Sequence, residues 1–125
     1  MRFMMIVKAN EATEAGVVPS LEQIQAWNVF EEEMRTAGVL IDQAGLRPTK
    51  DGARIHFSGD KKTVIDGPFA ETKEVIAGYC ILEVKSREEA IAWAMRVPNP
   101  HPEGGETNIE IRQLFLYEPE DFAQA

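Results

Sequence analysis

The segment Asp66-Gly67-Pro68-Phe69-Ala70-Glu71-Thr72-Lys73-Glu74 concentrates the side chains that could do chemistry in this 125-residue chain. The carboxylates of Asp66, Glu71 and Glu74 and the amine of Lys73 surround a Gly-Pro turn between two apolar stretches. Because Asp66 ends one of these stretches just before a rigid turn, the backbone holds its carboxylate in place. We therefore take Asp66 as the candidate general acid or base.

Structural roles compete with chemistry in this segment. Asp66 would also suit an Asx-type turn, in which it accepts hydrogen bonds from nearby backbone N–H groups, and the two roles can coexist. Burial would raise its pKa, whereas Lys73 or Arg112 would lower it, so the sequence leaves its pKa open. Glu71, Lys73 and Glu74 line a pocket mouth in one interpretation and form a solvated loop in the other.

A second group of charges lies in the last predicted strand. Ile109 and Ile111 point to one side of it, and Glu110 and Arg112 to the other. If the isoleucines face the helices, the charged pair faces the opposite side of the sheet. A carboxylate and a guanidinium buried there would pair with each other, with Asp66 or Lys73, or with an anionic ligand; alternatively, they form a structural ion pair that locks a dimer.

Composition narrows the class of protein. Thirteen basic and 21 acidic residues give a formal net charge of -8, which disfavours binding to nucleic acid. No apolar run is long enough for a membrane span, and the N-terminus lacks the features of a signal peptide, so we predict a cytoplasmic protein that forms one domain over residues 1–125. No residues have the spacing of metal ligands, a phosphate-binding loop or a nucleophile motif, and we predict neither metal nor cofactor.

Hydrophobic patterns predict alternating strands and helices. Ser20 with Gln23, and Ser86 with Glu89, are capping boxes that begin two amphipathic helices, ending near Ala37 and before Pro98. A loop is expected over 11–19, a hairpin turned by residues 59–62, and a loop from Asn99 to Thr107 before the last strand and an acidic tail. The predicted strands cover residues 3–9, 39–46, 53–58, 63–66, 75–84 and 108–116.

This order predicts an α+β fold: a ferredoxin-like antiparallel sheet with two helices on one face. In the strand 75–84, Cys80 and Leu82 share one side while Tyr79 and Ile81 share the other, so neither side is polar. Two helices cannot cover both sides. We therefore predict a homodimer in which sheets pack face to face, with Cys80 as a packed residue without chemistry.

Histidines and aromatic residues add weaker candidates. His56 lies on the opposite side of its strand from Ile55, where it is either structural or a ligand contact, and His101 lies between two prolines. Trp27 and Trp93 are explained by helix packing. With Asp66 as the catalytic candidate, the predicted substrate-binding residues are Lys73, Glu110, Arg112, Tyr79 and His56.

The residues 66–74 resemble the motif of the DGPF group of YCII-related proteins. Further matches are Gly38-Val39-Leu40, Gly45-Leu46-Arg47-Pro48, Gly78-Tyr79 and Ile109-Glu110-Ile111-Arg112. The resemblance runs along nearly the whole chain. It implies a ferredoxin-like, dimeric α+β barrel with a cleft at the sheet interface that contains the motif aspartate, here Asp66.

The same resemblance implies two kinds of function. Some DGPF proteins occur beside or fused to sigma factors of the extracytoplasmic type, which is consistent with a non-catalytic binding or regulatory module. More distant relatives include a dehydrochlorinase for a chlorinated hydroxyquinol, for which a His-Asp pair has been suggested. This chain lacks a histidine in its first long helix. Our leading interpretation is a pocket for a small anionic or phenolic ligand, with acid-base chemistry through Asp66.

Overall fold

The computed structural model describes residues 1–99 and 106–119, and within them the side chain of Lys73 is not described. His101, most of the predicted loop from Asn99 to Thr107 and the end of the acidic tail lie outside these residues. The strands are β1 (Arg2–Lys8), β2 (Leu40–Gly45), β3 (Ala53–Ser58), β4 (Lys61–Asp66), β5 (Ile76–Glu83) and β6 (Ile109–Gln113). The α-helices are α1 (Glu11–Glu14), α2 (Leu21–Thr36) and α3 (Arg87–Ala94), and 3-10 turns cover Thr49–Asp51 and Thr72–Glu74.

Four strands form one antiparallel sheet in the order β2-β5-β1-β6. With α2 between β1 and β2 and α3 between β5 and β6, this is the ferredoxin-like arrangement, as predicted. The fold is α+β and of the class that forms dimeric α+β barrels. The hairpin β3-β4 is an insertion between β2 and β5 and makes its own two-stranded sheet.

The main core lies between one face of the sheet and the two long helices. Alternation along β1 and β5 places Phe3, Met5, Cys80 and Leu82 on this face, all of them buried. Ile109 and Ile111 of β6 pack against the same cluster, so they face the helices, a direction that the sequence had left open. The helices contribute Phe30, Met34 and Ala90.

Local capping explains where the helices begin. Ser20 and Gln23 form the predicted capping box of α2, and the Ser86 hydroxyl accepts from Glu89 N at the start of α3. The predicted loop 11–19 differs, because its first residues form α1. Asn10 accepts a hydrogen bond from Thr13 N at 2.9 Å, and its own N–H donates to Thr13 Oγ1 at 2.8 Å. This second capping box stabilises a single helical turn.

The hairpin is tighter than its sequence suggested. Ser58 pairs with Lys61, so the turn consists of Gly59 and Asp60 and not of four residues. Gly59 has a φ of 58°, which suits the first position of a two-residue hairpin turn. Every residue of β3 and β4 is exposed in the protomer. Within residues 1–99 and 106–119, no helix is both long and apolar enough to cross a membrane.

Candidate functional site

The residues of the Asp66–Glu74 segment attach the hairpin to the rest of the protomer. Gly67 N donates to Gly52 O at 3.0 Å, and the Gly67-Pro68 peptide is cis. A Cβ on Gly67 would lie 1.7 Å from the carbonyl oxygen of Thr49 and 2.5 Å from its carbonyl carbon. Two backbone segments therefore touch at Gly67, and the contact depends on the missing side chain.

A hydrogen-bond network continues from this contact. Phe69 N donates to Thr49 Oγ1 at 3.1 Å, and the Thr49 hydroxyl donates to Glu14 of α1 in a short hydrogen bond. The second carboxylate oxygen of Glu14 accepts from Thr49 N at 3.0 Å. The Arg54 guanidinium lies over the Phe69 ring, 3.8 Å from its centroid. We call Glu14, Thr49, Gly67 and Phe69 the hairpin clasp.

Asp66 and His56 both lie on the exposed hairpin, but on opposite faces. Asp66 pairs with Ala53 and shares a face with Ile55 and Val64, whereas His56 pairs with Thr63 on the other face. The described residues give the Asp66 side chain no hydrogen bond or ion pair. The two residues therefore cannot meet as a His-Asp pair within one protomer.

The other predicted residues with described side chains are Tyr79, Glu110 and Arg112. They lie on the sheet face away from the helices, which we call the open face. Ile6 of β1 pairs with Tyr79 on one side and Glu110 on the other. In the next row, Met4 lies between Ile81 and Arg112. Because adjacent strands are about 4.8 Å apart, Tyr79 and Glu110 are separated by about 10 Å across the sheet.

The charged residues of the open face form a short ion-pair row. Glu110 contacts Lys8 at 3.4 Å and Arg112 at 3.9 Å. In the single protomer the Glu110 and Arg112 side chains are 41 % and 73 % exposed. The apolar residues around them are more covered, and Ile6 is only 6 % exposed. A second molecule would be needed to bury this row.

Three cavities in the described part of the protomer lie elsewhere. Two of them, of about 690 and 600 Å³, share Val7, Pro19, Trp27 and Ala77 as lining residues and form one region that we call the helix-side cleft. A third, between α2 and α3, includes Trp93 and Arg96. Asp66 lines none of the three. Among the predicted site residues with described side chains, Tyr79 is the one that lines a cavity, the one of about 600 Å³.

Glycines make the room for the cleft. Gly45 of β2 pairs directly with Gly78 of β5, next to the Gln43-Cys80 pair that faces the helices. Because neither glycine has a side chain, the space between these two residues and the first half of α2 is left open. Gly78 also permits close backbone approach, since a Cβ there would lie 2.9 Å from Ala44 O, whereas a Cβ on Gly45 would meet nothing within 4 Å.

The cleft contains residues that sequence reasoning missed. Trp27 and Glu31, one helical turn apart on α2, both line it, with Gln43 opposite on β2. Burial and the charge of Glu31 raise the pKa of the Cys80 thiol to about 11, so that thiol stays protonated. Two features of the sequence could have indicated the cleft. Glu31 follows Trp27 by four residues beside the apolar stripe of α2, and Gly45 and Gly78 interrupt the predicted strands without an assigned role.

Residues 1–99 and 106–119 contain no group of three or more His, Cys, Asp or Glu side chains arranged to hold a metal ion.

The order of elements and the described motif agree with one family. The profile of the YCII-related domain matches residues 1–114. The chain belongs to the YCII-related family. A protein of Rhizobium meliloti that is described as uncharacterized is 40 % identical to this YCII-related chain over 83 residues, which is 66 % of this chain. The aligned part spans 65 % of that relative's length.

A solved structure supports the same fold for this YCII-related chain. It is 5-chloro-2-hydroxyhydroquinone dehydrochlorinase (TftG) from Burkholderia phenoliruptrix AC1100 in complex with 2,5-dihydroxybenzoquinone. The TM-score is 0.51, and the match covers 92 % of this chain and 94 % of that chain. Sequence identity is only 11 %, so the likeness concerns the fold.

Proposed function

We propose that this chain is a cytoplasmic homodimer that binds a small molecule between the open faces of two protomers. The observation that supports this most directly is the apolar surface of the open face, where the half-buried Met4, Tyr79 and Ile81 surround the buried Ile6 beside Glu110 and Arg112. An apolar sheet face of this kind favours packing against a second sheet.

The energetics favour a second copy as the cover. Each 100 Å² of apolar surface removed from water contributes about 2.5 kcal/mol. A two-fold axis that passes near this row would bring Lys8, Glu110 and Arg112 opposite the same residues of the partner copy, and acidic and basic groups of each sheet would then pair across the interface.

Arg112 and Tyr79 suit an anionic or phenolic ligand in this interface. The Arg112 guanidinium is held only at 3.9 Å by Glu110, which leaves donors for a carboxylate or phenolate oxygen. Tyr79 offers a ring for stacking and a hydroxyl for hydrogen bonding. The dehydrochlorinase with the similar fold holds a dihydroxybenzoquinone, a ligand of this chemical class.

Asp66 is the acid or base of the catalytic version of this proposal. Its hairpin extends from the protomer, with Ile55, Val64 and Asp66 on one face. Packing of that apolar face against the partner would bring the carboxylate to the interface, where Lys73 would contribute from the same segment. His56 lies on the other face of the hairpin and would contact a ligand only from that side.

One observation favours a second candidate, a non-catalytic binding or regulatory module. Gly67 and Phe69 of the motif are used to attach the hairpin through Thr49, and among the described residues the Asp66 carboxylate has no hydrogen bond or ion pair. In this version the motif is structural, and the protein acts through a partner, such as the sigma factor that the family resemblance implies.

Melting temperatures separate the two candidates. We would titrate benzoate, phenol and other small carboxylates and phenols into the wild type, Asp66→Asn and Arg112→Gln, with Arg47→Gln as a control at an exposed arginine. A pocket at the interface predicts stabilisation that Arg112→Gln removes and Arg47→Gln retains. An enzyme predicts that Asp66→Asn alters the response, whereas a purely structural interface predicts no response in any variant.

The dimer has its own test. Sedimentation of the wild type should give the mass of two chains, and Met4→Lys on the open face should give one. Val29→Lys, at an exposed position of α2, is the matched control and should remain dimeric. A wild type that sediments as a single chain over the whole concentration range contradicts the proposal.

A further inference from the structure

We propose that the helix-side cleft is a second ligand site, and that it takes an organic cation: a primary ammonium group on an apolar or aromatic body. This site lies on the helix face of the sheet, opposite the open face. It therefore stands independently of the homodimer and of the ligand proposed between the open faces.

The cleft offers an apolar wall of suitable size. Val7, Pro19, Ile24, Trp27 and Leu46 line it, and its two lobes of about 690 and 600 Å³ are in the range of pockets for small organic molecules. Trp27 packs on Phe30 at a tilt, with ring centroids 5.5 Å apart, so this core residue fixes the position of the indole ring. A tryptophan face is also the best aromatic partner for a cation.

The charges of the cleft select the sign of the ligand. Among the described residues, the charged ones that line its two lobes are Glu22 and Glu31, both acidic, and no described lysine or arginine lines either lobe. The nearest described amine to the larger lobe that the geometry shows is Lys50 Nζ, which would lie 3.9 Å from a Cβ on the lining residue Gly16. The other polar lining groups are neutral amides and hydroxyls, such as Gln43 and Ser20. An anion entering the cleft would meet two carboxylates, while an ammonium group would be attracted by both.

Glu31 is the specific anchor. Its side chain is 24 % exposed, and its ion pair with Arg35 joins Oε1 to the guanidinium at 3.6 Å, longer than a normal hydrogen bond. The charge of Glu31 also acts on the cleft floor, because it contributes to the raised pKa of the Cys80 thiol. A half-buried carboxylate with a loose partner can accept strong hydrogen bonds from an ammonium group.

Arg35 competes with the ligand for Glu31. It lies one turn further along α2, and its side chain is 55 % exposed, so it can swing into solvent when another cation arrives. Removing Arg35 should therefore strengthen binding, whereas removing Glu31 should weaken it. Opposite effects from two neighbouring residues are difficult to produce by a general change in stability.

Three probes of matched shape test the charge preference: benzylammonium, benzyl alcohol and benzoate. Binding is followed by the fluorescence of Trp27 in a Trp93→Phe background, which leaves Trp27 as the single tryptophan. We expect benzylammonium to change the emission saturably, benzyl alcohol to bind more weakly and benzoate to leave Trp27 unchanged. Benzoate bound at the open face would raise the melting temperature without affecting Trp27.

Variants then assign the charge. Glu31→Gln should weaken benzylammonium binding about tenfold, the loss expected for a hydrogen bond to a charged group. Glu32→Gln is the matched control on the same helix, because it removes one charge but lines only the cavity between α2 and α3. Arg35→Gln should tighten binding severalfold. All three positions are on the surface of α2, so folding should be retained.

Two results would overturn the inference. One is equal binding of benzylammonium and benzoate to the cleft. The other is an equal loss in Glu31→Gln and Glu32→Gln, which would indicate a general effect of net charge. Neither result bears on Arg112 or on the dimer, so failure here is distinguishable from failure of the proposed function.

Discussion

The hairpin clasp and the helix-side cleft both depend on glycine, but for opposite purposes. At Gly67 the absent side chain lets two backbones touch, since a Cβ would lie 1.7 Å from Thr49 O. At Gly45 the absent side chain leaves a space, since a Cβ would meet nothing within 4 Å. The first glycine closes a contact, and the second keeps a cavity open.

The conspicuous sequence motif and the ligand cleft are therefore in different parts of the molecule. The segment with the most conspicuous sequence, Asp66 to Glu74, supplies the clasp, while the cleft is lined by α2 and the β2-β5 pair, which carry no comparable motif. A recognisable motif can therefore mark a structural junction. The residues that select a ligand can lie in ordinary helical and strand positions.

The largest expected effect concerns the clasp. Gly67→Ala places a methyl group inside the contact radius of Thr49 O and C, which are backbone atoms that cannot move cheaply. We expect a loss of about 3 kcal/mol or more in the free energy of unfolding, measured by denaturant titration. The matched control is Gly52→Ala in the same junction, where a Cβ meets Thr49 O at 3.5 Å and the backbone is extended. Equal stability of the two variants would contradict the close contact.

The clasp network should show the next largest effect. Thr49→Val removes the hydroxyl that joins Phe69 N to the Glu14 carboxylate and leaves both partly buried groups without that partner. We expect a loss of about 2 kcal/mol. Thr49→Ser keeps the hydroxyl and should lose much less. If serine and valine destabilise the protein equally, the methyl group of Thr49 and not its hydroxyl holds the hairpin.

Filling the cleft should leave stability nearly unchanged and remove ligand binding. Gly45→Val adds a side chain in open space on β2, an edge strand where β-branched residues are favourable. We expect the affinity for benzylammonium, measured through Trp27, to fall at least about tenfold because the side chain occupies the ligand volume. Gly45→Ala should have an intermediate effect. Unchanged affinity in Gly45→Val would show that the ligand lies elsewhere.

The sequence predicted the fold better than the site, for physical reasons. Strand alternation and the capping residues Ser20 and Ser86 are local patterns, so they correctly indicated the sheet and the helices. The cleft depends on which glycines become neighbours, and Gly45 and Gly78 meet only through the pairing of β2 with β5. The hairpin clasp was equally hidden, because Glu14 and Thr49, which hydrogen-bond in it, are 35 residues apart in the chain.

The last prediction concerns the pH dependence of stability that is due to the Cys80 thiol. It distinguishes Glu31 of the cleft, which affects the pKa of this thiol, from Glu14 of the clasp. The Cys80 thiol pKa is raised from 9.0 to about 11, mainly by burial and further by Glu31. Because the folded pKa exceeds the unfolded one, the folded state binds the thiol proton more tightly, and its contribution to stability is complete below pH 9. That contribution is lost as the pH rises from 9 to about 11, with a slope of at most about 1.4 kcal/mol per pH unit.

Denaturant titrations between pH 7 and 11 should therefore show a steeper alkaline loss in the wild type than in Cys80→Ala, although the variant is less stable at neutral pH. Glu31→Gln removes the smaller cause of the shift, so its alkaline loss should level off at a lower pH. Glu14→Gln, which changes a carboxylate of the clasp, should keep the wild-type alkaline slope. Equal slopes in the wild type and Cys80→Ala would contradict the raised pKa, and equal effects of the two glutamine variants would show that Glu31 has no special influence on the cleft floor.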